Sequence, residues 1–292
     1  MVDLLNIILP TFIVIFIGYL LGKITKMDMS AIVNVVFYVG LPSLAFVSML
    51  DKKIVLLDAA KIWTAALMIT FGCGTVAWIV FKTLRQKHSG LYIPIILMNT
   101  VNIPFPIIYL VYGSEGLFAA TLFYIPNVIL LFSLGIYIVS GKHWKEGIQE
   151  VFKVPTIYAA IAGLTVNLLD VTVPELIVKP LDFISLMVIP LVLLILGCNL
   201  SVVKIASLPT TFLAAFLRLG VGLLFGFLAV NLFNLTGVLR SVVILDSAMP
   251  AAVNGSILAT KYDSEADLVA SVVFVTTIAS LFIIPFLLNI LS

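Results

Sequence analysis

Two long apolar stretches of the sequence each contain a cluster of prolines and amides. The first cluster comprises Asn99, Asn102, Pro104 and Pro106, and the second comprises Asp246, Pro250, Asn254 and Gly255. A proline removes one intrahelical hydrogen bond and clashes with the carbonyl four residues earlier, so we expect the helix to unwind at both places. Inside a membrane, unwound backbone occurs only where it is buried in protein or lines a cavity.

The ends of unwound helices favour one kind of ligand. The free N–H groups and positive dipole ends of half-helices attract a negatively charged group, and asparagine side chains add further donors. The two clusters therefore predict a binding site for a carboxylate. The alternative is a pair of simple proline kinks whose amides hydrogen-bond between helices.

Arg218 and Asp246 are the charged residues that lie deepest in apolar stretches. At 1.5 Å per residue, Arg218 lies roughly 15 Å and Asp246 roughly 11 Å from the start of its predicted helix. Both depths are near the midplane of a hydrocarbon core about 30 Å thick, where an ionisable residue is a functional candidate. Arg218 would attract an anionic substrate, or Asp246 would bind a coupling proton or sodium ion. A structural ion pair between the two side chains is the alternative.

Other residues carry weaker signals. Four residues are candidates for the opposite wall of a cavity, namely Asn34, Pro42, Asp182 and Pro190. Packing and kinking explain these prolines equally well. His88 and His143 stand beside lysines in loops, where a solvated histidine is the simpler interpretation. Cys73 and Cys198 lie within apolar stretches, so neither a disulfide nor a metal site is indicated.

The composition places these candidates in a membrane protein. Of the 292 residues, 62% are hydrophobic and only 10% are charged, whereas a soluble domain carries about 25% charged residues. Apolar runs of near membrane-spanning length recur throughout the chain. They predict an all-α integral membrane protein with ten helices, at 4–24, 30–50, 59–83, 91–112, 115–140, 154–170, 181–201, 208–234, 239–260 and 267–291.

The basic residues predict the orientation, because cytoplasmic loops accumulate lysine and arginine. One side holds ten of them, Lys23, Lys26, Lys82, Arg85, Lys87, Lys142, Lys145, Lys153, Lys204 and Lys261. The other side holds five, Lys52, Lys53, Lys61, Lys179 and Arg240. We therefore expect a multi-pass protein of the cell (plasma) membrane. The first side should be cytoplasmic, and both termini should lie on the outer side of the membrane.

An internal repeat relates the two halves of the chain. Pro10, Thr11 and Gly18 recur as Pro155, Thr156 and Gly163; Asn34 and Pro42 recur as Asp182 and Pro190; Gly72 and Gly74 recur as Gly220 and Gly222. A repeat of five spans is odd in number, so the second copy is inverted. This predicts a first repeat at 1–140, a connecting segment at 141–153 and a second repeat at 154–292. Between the proline clusters two registers stay open, with Pro106 corresponding either to Asn254 or to Pro250.

The sequence resembles the auxin efflux carrier family along its whole length. The resemblance depends on an ordered set: Pro10, Gly18, Tyr19, Val33, Asn34, Leu41, Pro42, Asn99, Thr100, Pro106, Tyr112, Gly113, Leu196, Gly197, Met249, Pro250, Lys261, Tyr262, Thr276, Thr277 and Pro285. Bacterial members are usually described as permeases for small carboxylates such as malonate or malate. Where plant members carry a second proline in the ninth helix this chain has Gly255, and it lacks their long central loop, so hormone transport is not implied.

The resemblance implies a mechanism and an assembly. Helices 1, 2, 6 and 7 would form a scaffold, and helices 3–5 and 8–10 a mobile transport unit whose broken helices 4 and 9 cross at the substrate site. The resemblance also implies a homodimer, joined through the scaffold helices, that works by an elevator motion in the lipid bilayer.

These observations favour a secondary transporter of a small organic anion. The alternative is a sodium- or proton-coupled symporter or antiporter of the same fold, with Asp246 as the ion-binding carboxylate. We expect no enzyme or cofactor, since the sequence has no catalytic or nucleotide-binding motif. We expect no nucleic-acid partner either, since the basic residues lie at loop ends, where topology explains them. Whether the coupling ion is Na⁺ or H⁺, if either, stays open.

Overall fold

The computed structural model describes residues 2–50, 55–141 and 144–291. In these residues helix is the only repeating secondary structure, and an isolated antiparallel bridge joins Met98 to Ala251. Six described helical stretches are long and apolar enough to cross a membrane: Ser30–Leu50, Leu56–Thr83, Pro104–Ser140, Glu175–Ser201, Leu208–Leu232 and Ala266–Leu291. The chain is therefore all-helical with the spans of an integral membrane protein, as predicted. Lys52, Lys53, Lys142 and His143 lie outside the described residues.

The helices of the first half include two that continue through a π-helical turn. They are α1 Val2–Thr25, α2 Ser30–Val35, α3 Leu41–Leu50, α4 Leu56–Thr83, α5 Tyr92–Ile96, α6 Pro104–Leu130, α7 Ile136–Ser140 and α8 Trp144–Val151. A π turn at Val36–Gly40 joins α2 to α3, and another at Leu131–Gly135 joins α6 to α7. Such turns often mark functional positions.

The second half has a similar order of helices. They are α9 Pro155–Leu168, α10 Glu175–Ser185, α11 Val188–Ser201, α12 Leu208–Phe216, α13 Gly222–Leu232, α14 Gly237–Ser247, α15 Val253–Lys261 and α16 Ala266–Leu291. A π turn at Leu217–Val221 joins α12 to α13. The helix predicted to begin at residue 181 begins at Glu175 instead, because the charges of Glu175 and Lys179 interrupt the apolar pattern although the two side chains pair one turn apart within the helix.

Both predicted helix breaks are present. The first separates α5, which ends at Ile96, from α6, and the second separates α14, which ends at Ser247, from α15. Pro104 lies at the start of α6, where a proline is tolerated because the N–H groups of the first turn have no intrahelical partner. The prolines of the first break therefore begin a new half-helix rather than kink a continuous one.

The fourth and fifth predicted helices meet at a kink within α6, which takes the place of the expected loop. Gly113, inside α6, has φ 61° and ψ −150° and is the non-helical residue of that helix. Glycine adopts a positive φ without the steric cost that a Cβ would bring. The predicted boundary at 112–115 coincides with this kink.

Small residues bring two pairs of helices into backbone contact. On α11, a Cβ at Gly197 would collide with the carbonyl oxygen of Ile15 on α1. On α9, a Cβ at Gly163 would lie 2.9 Å from the carbonyl oxygen of Phe46 on α3. Close approach of this kind is a principal source of helix association in lipid, so α1–α11 and α3–α9 form tightly joined pairs.

Candidate functional site

The two helix breaks lie against each other and share backbone hydrogen bonds. The N–H of Asn99 donates to the carbonyl oxygen of Pro250 (2.8 Å), and the N–H of Ala252 donates to that of Leu97 (3.0 Å). These bonds flank the bridge between Met98 and Ala251. Each break thus provides hydrogen-bond partners for backbone groups of the other break. Unwound backbone inside a membrane requires such partners, because no water is present there to satisfy them.

Thr276 on α16 supports the second break. Its hydroxyl oxygen accepts a hydrogen bond from the N–H of Ala251 (3.1 Å) and donates to the carbonyl oxygen of Val272 (2.6 Å). The side chain is fully buried. Sequence reasoning assigned Thr276 no place in the site, because a threonine in an apolar helix commonly bonds only its own helix backbone.

Asn99 fixes the turn that precedes α6. Its Oδ1 accepts hydrogen bonds from the N–H groups of Asn102 (2.9 Å) and Val101 (3.3 Å). The side chain is 4% exposed, and among the described residues its Nδ2 has no hydrogen-bond partner. Asn99 therefore leaves one buried donor free.

Asn127 on α6 is a second buried amide, which sequence reasoning missed. Its Nδ2 donates to the carbonyl oxygen of Phe123 (2.8 Å), and its Oδ1 has no partner among the described residues. The side chain is also 4% exposed. The available signal was the neighbouring Pro126, which puts an amide beside a helix-perturbing residue in an otherwise apolar run.

Both amides line one small cavity, which we call the amide cavity. It has a volume of about 70 Å³ and is enclosed by the two breaks, by Phe37 in the first π turn, and by one face of α6. Asn102 and Asn254, both predicted as site residues, line it as well. Within the described part of the chain, its lining holds four asparagines and no Asp, Glu, Lys, Arg or His. The amide cavity is therefore polar but uncharged.

The beginnings of α6 and α15 add electrostatic character to the amide cavity. Val101 and Asn102 precede α6, and Val253 and Asn254 are the first residues of α15; all four belong to the lining. A helix N-terminus carries partial positive charge. At α6 this comes from the helix dipole alone, because Pro104 and Pro106 have no N–H and the N–H groups of Phe105 and Ile107 donate to the carbonyl oxygens of Val101 and Ile103. The cavity thus favours a ligand with negative charge, although no cationic side chain lines it.

Arg218 binds the opposite ends of the broken helices. From the π turn between α12 and α13, its Nη1 donates to the carbonyl oxygen of Ile95 (3.1 Å) and its Nη2 to that of Ser247 (2.6 Å). These carbonyls belong to the last turns of α5 and α14, which carry partial negative charge. Arg218 is fully buried, so it joins the two half-helix C-termini by charge-assisted hydrogen bonds.

Asp246 does not pair with Arg218. Asp246 is fully buried near the end of α14, and both of its carboxyl oxygens have no hydrogen-bond partner among the described residues. The ion pair that their depths allowed is therefore absent, because the guanidinium is bound to backbone carbonyls instead. Asp246 also lies outside the lining of the amide cavity.

The remaining predicted site residues support the breaks rather than the amide cavity. Pro104 is buried at the start of α6, and the carbonyl oxygen of Pro250 accepts the hydrogen bond from Asn99. At Gly255, a Cβ would lie 2.5 Å from the Ile93 side chain of α5. Gly255 therefore permits close packing between α15 and α5.

A larger cavity, of about 400 Å³, lies between α6 and the α1, α3, α10 and α11 helices. Pro106 lines it from α6, and Asp182 and Pro190 line it from the other side. Asn34 and Pro42, predicted for the same wall, line neither this cavity nor the amide cavity.

His88 is held by a carboxylate, which differs from the solvated loop residue that we predicted. Its Nδ1 lies 2.6 Å from Oε1 of Glu265, and the other carboxyl oxygen of Glu265 accepts the N–H of Gly90 (2.9 Å). Both side chains are partly buried, at 21% and 26% exposure. This contact ties the loop before α5 to the loop before α16, so both loops lie on one side of the protein.

Comparison with known proteins identifies the wider group. The family described as "Membrane transport protein" matches residues 4–154 and 147–288. An uncharacterized transporter of Methanocaldococcus jannaschii is 25% identical over 299 residues, which cover 96% of each chain. An uncharacterized transporter of Methanothermobacter thermautotrophicus is 29% identical over 291 residues, which cover 95% of each chain.

Proposed function

Because the chain belongs to the membrane transport protein family, the family of the auxin efflux carriers, we propose that it is a secondary transporter of a small organic anion, a carboxylate. One observation carries this proposal: the two helix breaks lie against each other, and the residues at the starts of α6 and α15 line one small cavity together with the amides beside them. Arg218 already neutralises the C-terminal ends of the half-helices. The field left at the crossing therefore comes from the positive ends, which favour an anion.

The proposed mechanism is an elevator motion. The scaffold would be α1–α3 and α9–α11, and the mobile unit would be the remaining membrane helices. The larger cavity supports this division, because α6 faces α1, α3, α10 and α11 across it. The amide cavity lies on the same boundary, since Phe37 belongs to the scaffold and the breaks to the mobile unit. Sliding along this boundary would expose the crossing alternately to the two sides.

We also propose the ten-span inverted repeat, the homodimer and the plasma-membrane orientation. Matching contacts support the repeat: Gly74 on α4 packs against Ile96 at the end of α5, and Gly222 on α13 packs against Ser247 at the end of α14. A cysteine at Lys87 that reacts with an impermeant reagent from outside the cell would contradict the orientation. A monomeric mass in detergent would contradict the dimer.

Flux into proteoliposomes tests the proposed function. A panel of labelled mono- and dicarboxylates should include at least one that enters, and Asn99→Ala should reduce its uptake at least about ten-fold by removing the free donor and the turn before α6. Asn231→Ala on α13 is the matched control, since Asn231 is exposed and lines neither cavity. Unchanged flux in Asn99→Ala, or no uptake of any carboxylate, would reject the proposal.

The buried carboxyl group of Asp246 favours a second candidate, ion-coupled transport. A fully buried carboxyl without a hydrogen-bond partner is costly, and such groups inside membranes commonly bind coupling ions. The half-helix C-termini, which coordinate cations in other transporters, are occupied by Arg218 here. Asp246→Asn should then retain substrate exchange and lose uptake driven by a proton or sodium gradient. Equal loss of both activities would exclude a coupling role.

A further inference from the structure

Asn99 and Asn127 both line the amide cavity, and among the described residues each has one buried hydrogen-bonding atom without a partner. The Oδ1 of Asn99 accepts two backbone N–H groups, so its Nδ2 is a free donor. The Nδ2 of Asn127 donates to Phe123, so its Oδ1 is a free acceptor. These local bonds fix which atom of each amide is used, because the reverse orientation of Asn127 would set two oxygens against each other.

A simple carboxylate satisfies only one of these atoms. An ionised carboxylate has acceptors and no donor, so it pairs with Nδ2 of Asn99 and with the helix N-termini. It leaves Oδ1 of Asn127 without a partner, and a buried acceptor without a partner carries its full desolvation penalty. A ligand with a donor next to its carboxylate removes that penalty.

We propose that Asn127 is a specificity residue that selects carboxylates bearing an adjacent hydroxyl group, with its Oδ1 accepting the hydroxyl proton. The inference depends on the proposed transport of a carboxylate through the same cavity. The described residues that line the amide cavity are all uncharged. This is consistent with the proposed selection, because discrimination between two ligands of equal charge then comes from hydrogen bonds. A site built to bond a hydroxyl group rejects the analogue that lacks it far more strongly than an apolar pocket rejects a change in size.

The test compares hydroxy acids with their deoxy analogues in proteoliposomes. We would measure kcat/KM for lactate against propionate and for malate against succinate. The native protein should prefer the hydroxy acid of at least one pair by about ten-fold or more. Asn127→Leu, which keeps the side-chain size, should bring that ratio close to one, and Asn127→Ser, which keeps an acceptor, should restore part of it. Asn231→Leu is the control and should leave the ratio unchanged.

Two outcomes separate this inference from the proposed function. If carboxylates are transported but the native protein shows no hydroxyl preference, or Asn127→Leu retains it, the inference is wrong and the transport function stands. A water molecule that satisfies Asn127 would give this result. If no carboxylate is transported and none shifts the Tm of the detergent-solubilised protein, both proposals fail. The Tm measurement can support the inference without a transport assay. In the native protein lactate should raise the Tm more than propionate does, whereas in Asn127→Leu the two ligands should raise it equally.

Discussion

Arg218 and Asp246 are ionisable residues of opposite type that lie at similar depths by the sequence estimate, yet the structure surrounds them differently. Arg218 donates to two helix-end carbonyls, whereas neither carboxyl oxygen of Asp246 has a hydrogen-bond partner among the described residues. Depth could be read from the sequence, because it depends only on position along a helix. The hydrogen-bond partners of Arg218 could not be read from the sequence, because the carbonyls of Ile95 and Ser247 belong to other helices, whose packing against the π turn depends on the fold.

Neutralising Arg218 should destabilise the protein, and a second change at Asp246 should add its own effect without any coupling to the first. Arg218→Gln removes a charge-assisted bond to at least one half-helix end, and each buried carbonyl left unpaired costs about 1–3 kcal/mol. The measurement is the thermal unfolding of both single variants and of Arg218→Gln/Asp246→Asn in one detergent. An ion pair would instead make the two effects non-additive, with Asp246→Asn destabilising the native protein but stabilising Arg218→Gln, and that result would refute the arrangement described for Arg218.

At the scale of elements, proline and composition located the helix breaks, because the effect of a proline on a helix is local. The pairing of the breaks could not be obtained in this way. Two registers between the breaks were considered from the sequence, and neither sets Met98 opposite Ala251. In the structure, however, a backbone bridge joins these two residues. Asn127 was missed for a related reason, since its place in the site depends on the fold of α6 against both breaks and not on a motif of its own.

Thr276 provides a test of how the second break is held. Thr276→Val has nearly the same shape but leaves the buried N–H of Ala251 without its acceptor, so the free energy of unfolding should fall by about 1–3 kcal/mol. Thr277→Val is the control, because the hydroxyl of Thr277 bonds only the carbonyl of Val273 in its own helix. Thermal unfolding of both variants in detergent gives the comparison. Equal stability losses would show that the Ala251 bond does not support the break.

At the scale of the whole molecule, the proposed elevator motion requires contacts between scaffold and mobile unit that break and reform. One such contact is visible: Ser48 on α3 donates to the hydroxyl oxygen of Thr121 on α6 (3.1 Å), and both side chains are buried. Contacts within the scaffold should persist throughout transport. An example is the bond from Nδ2 of Asn167 on α9 to the carbonyl oxygen of Met49 on α3 (2.8 Å).

Cross-linking these two contacts should therefore have opposite effects on flux. In a background without Cys73 and Cys198, a short bifunctional methanethiosulfonate, which forms a reducible disulfide with each thiol, should join α3 to α6 in Ser48→Cys/Thr121→Cys and stop sliding. Uptake should fall at least about ten-fold, and reduction should restore it. The same treatment of Met49→Cys/Asn167→Cys joins two scaffold helices and should leave uptake nearly unchanged. If the first pair is fully cross-linked, as judged by mass spectrometry, and uptake continues at the native rate, α3 and α6 do not move past each other and the division into scaffold and mobile unit is wrong.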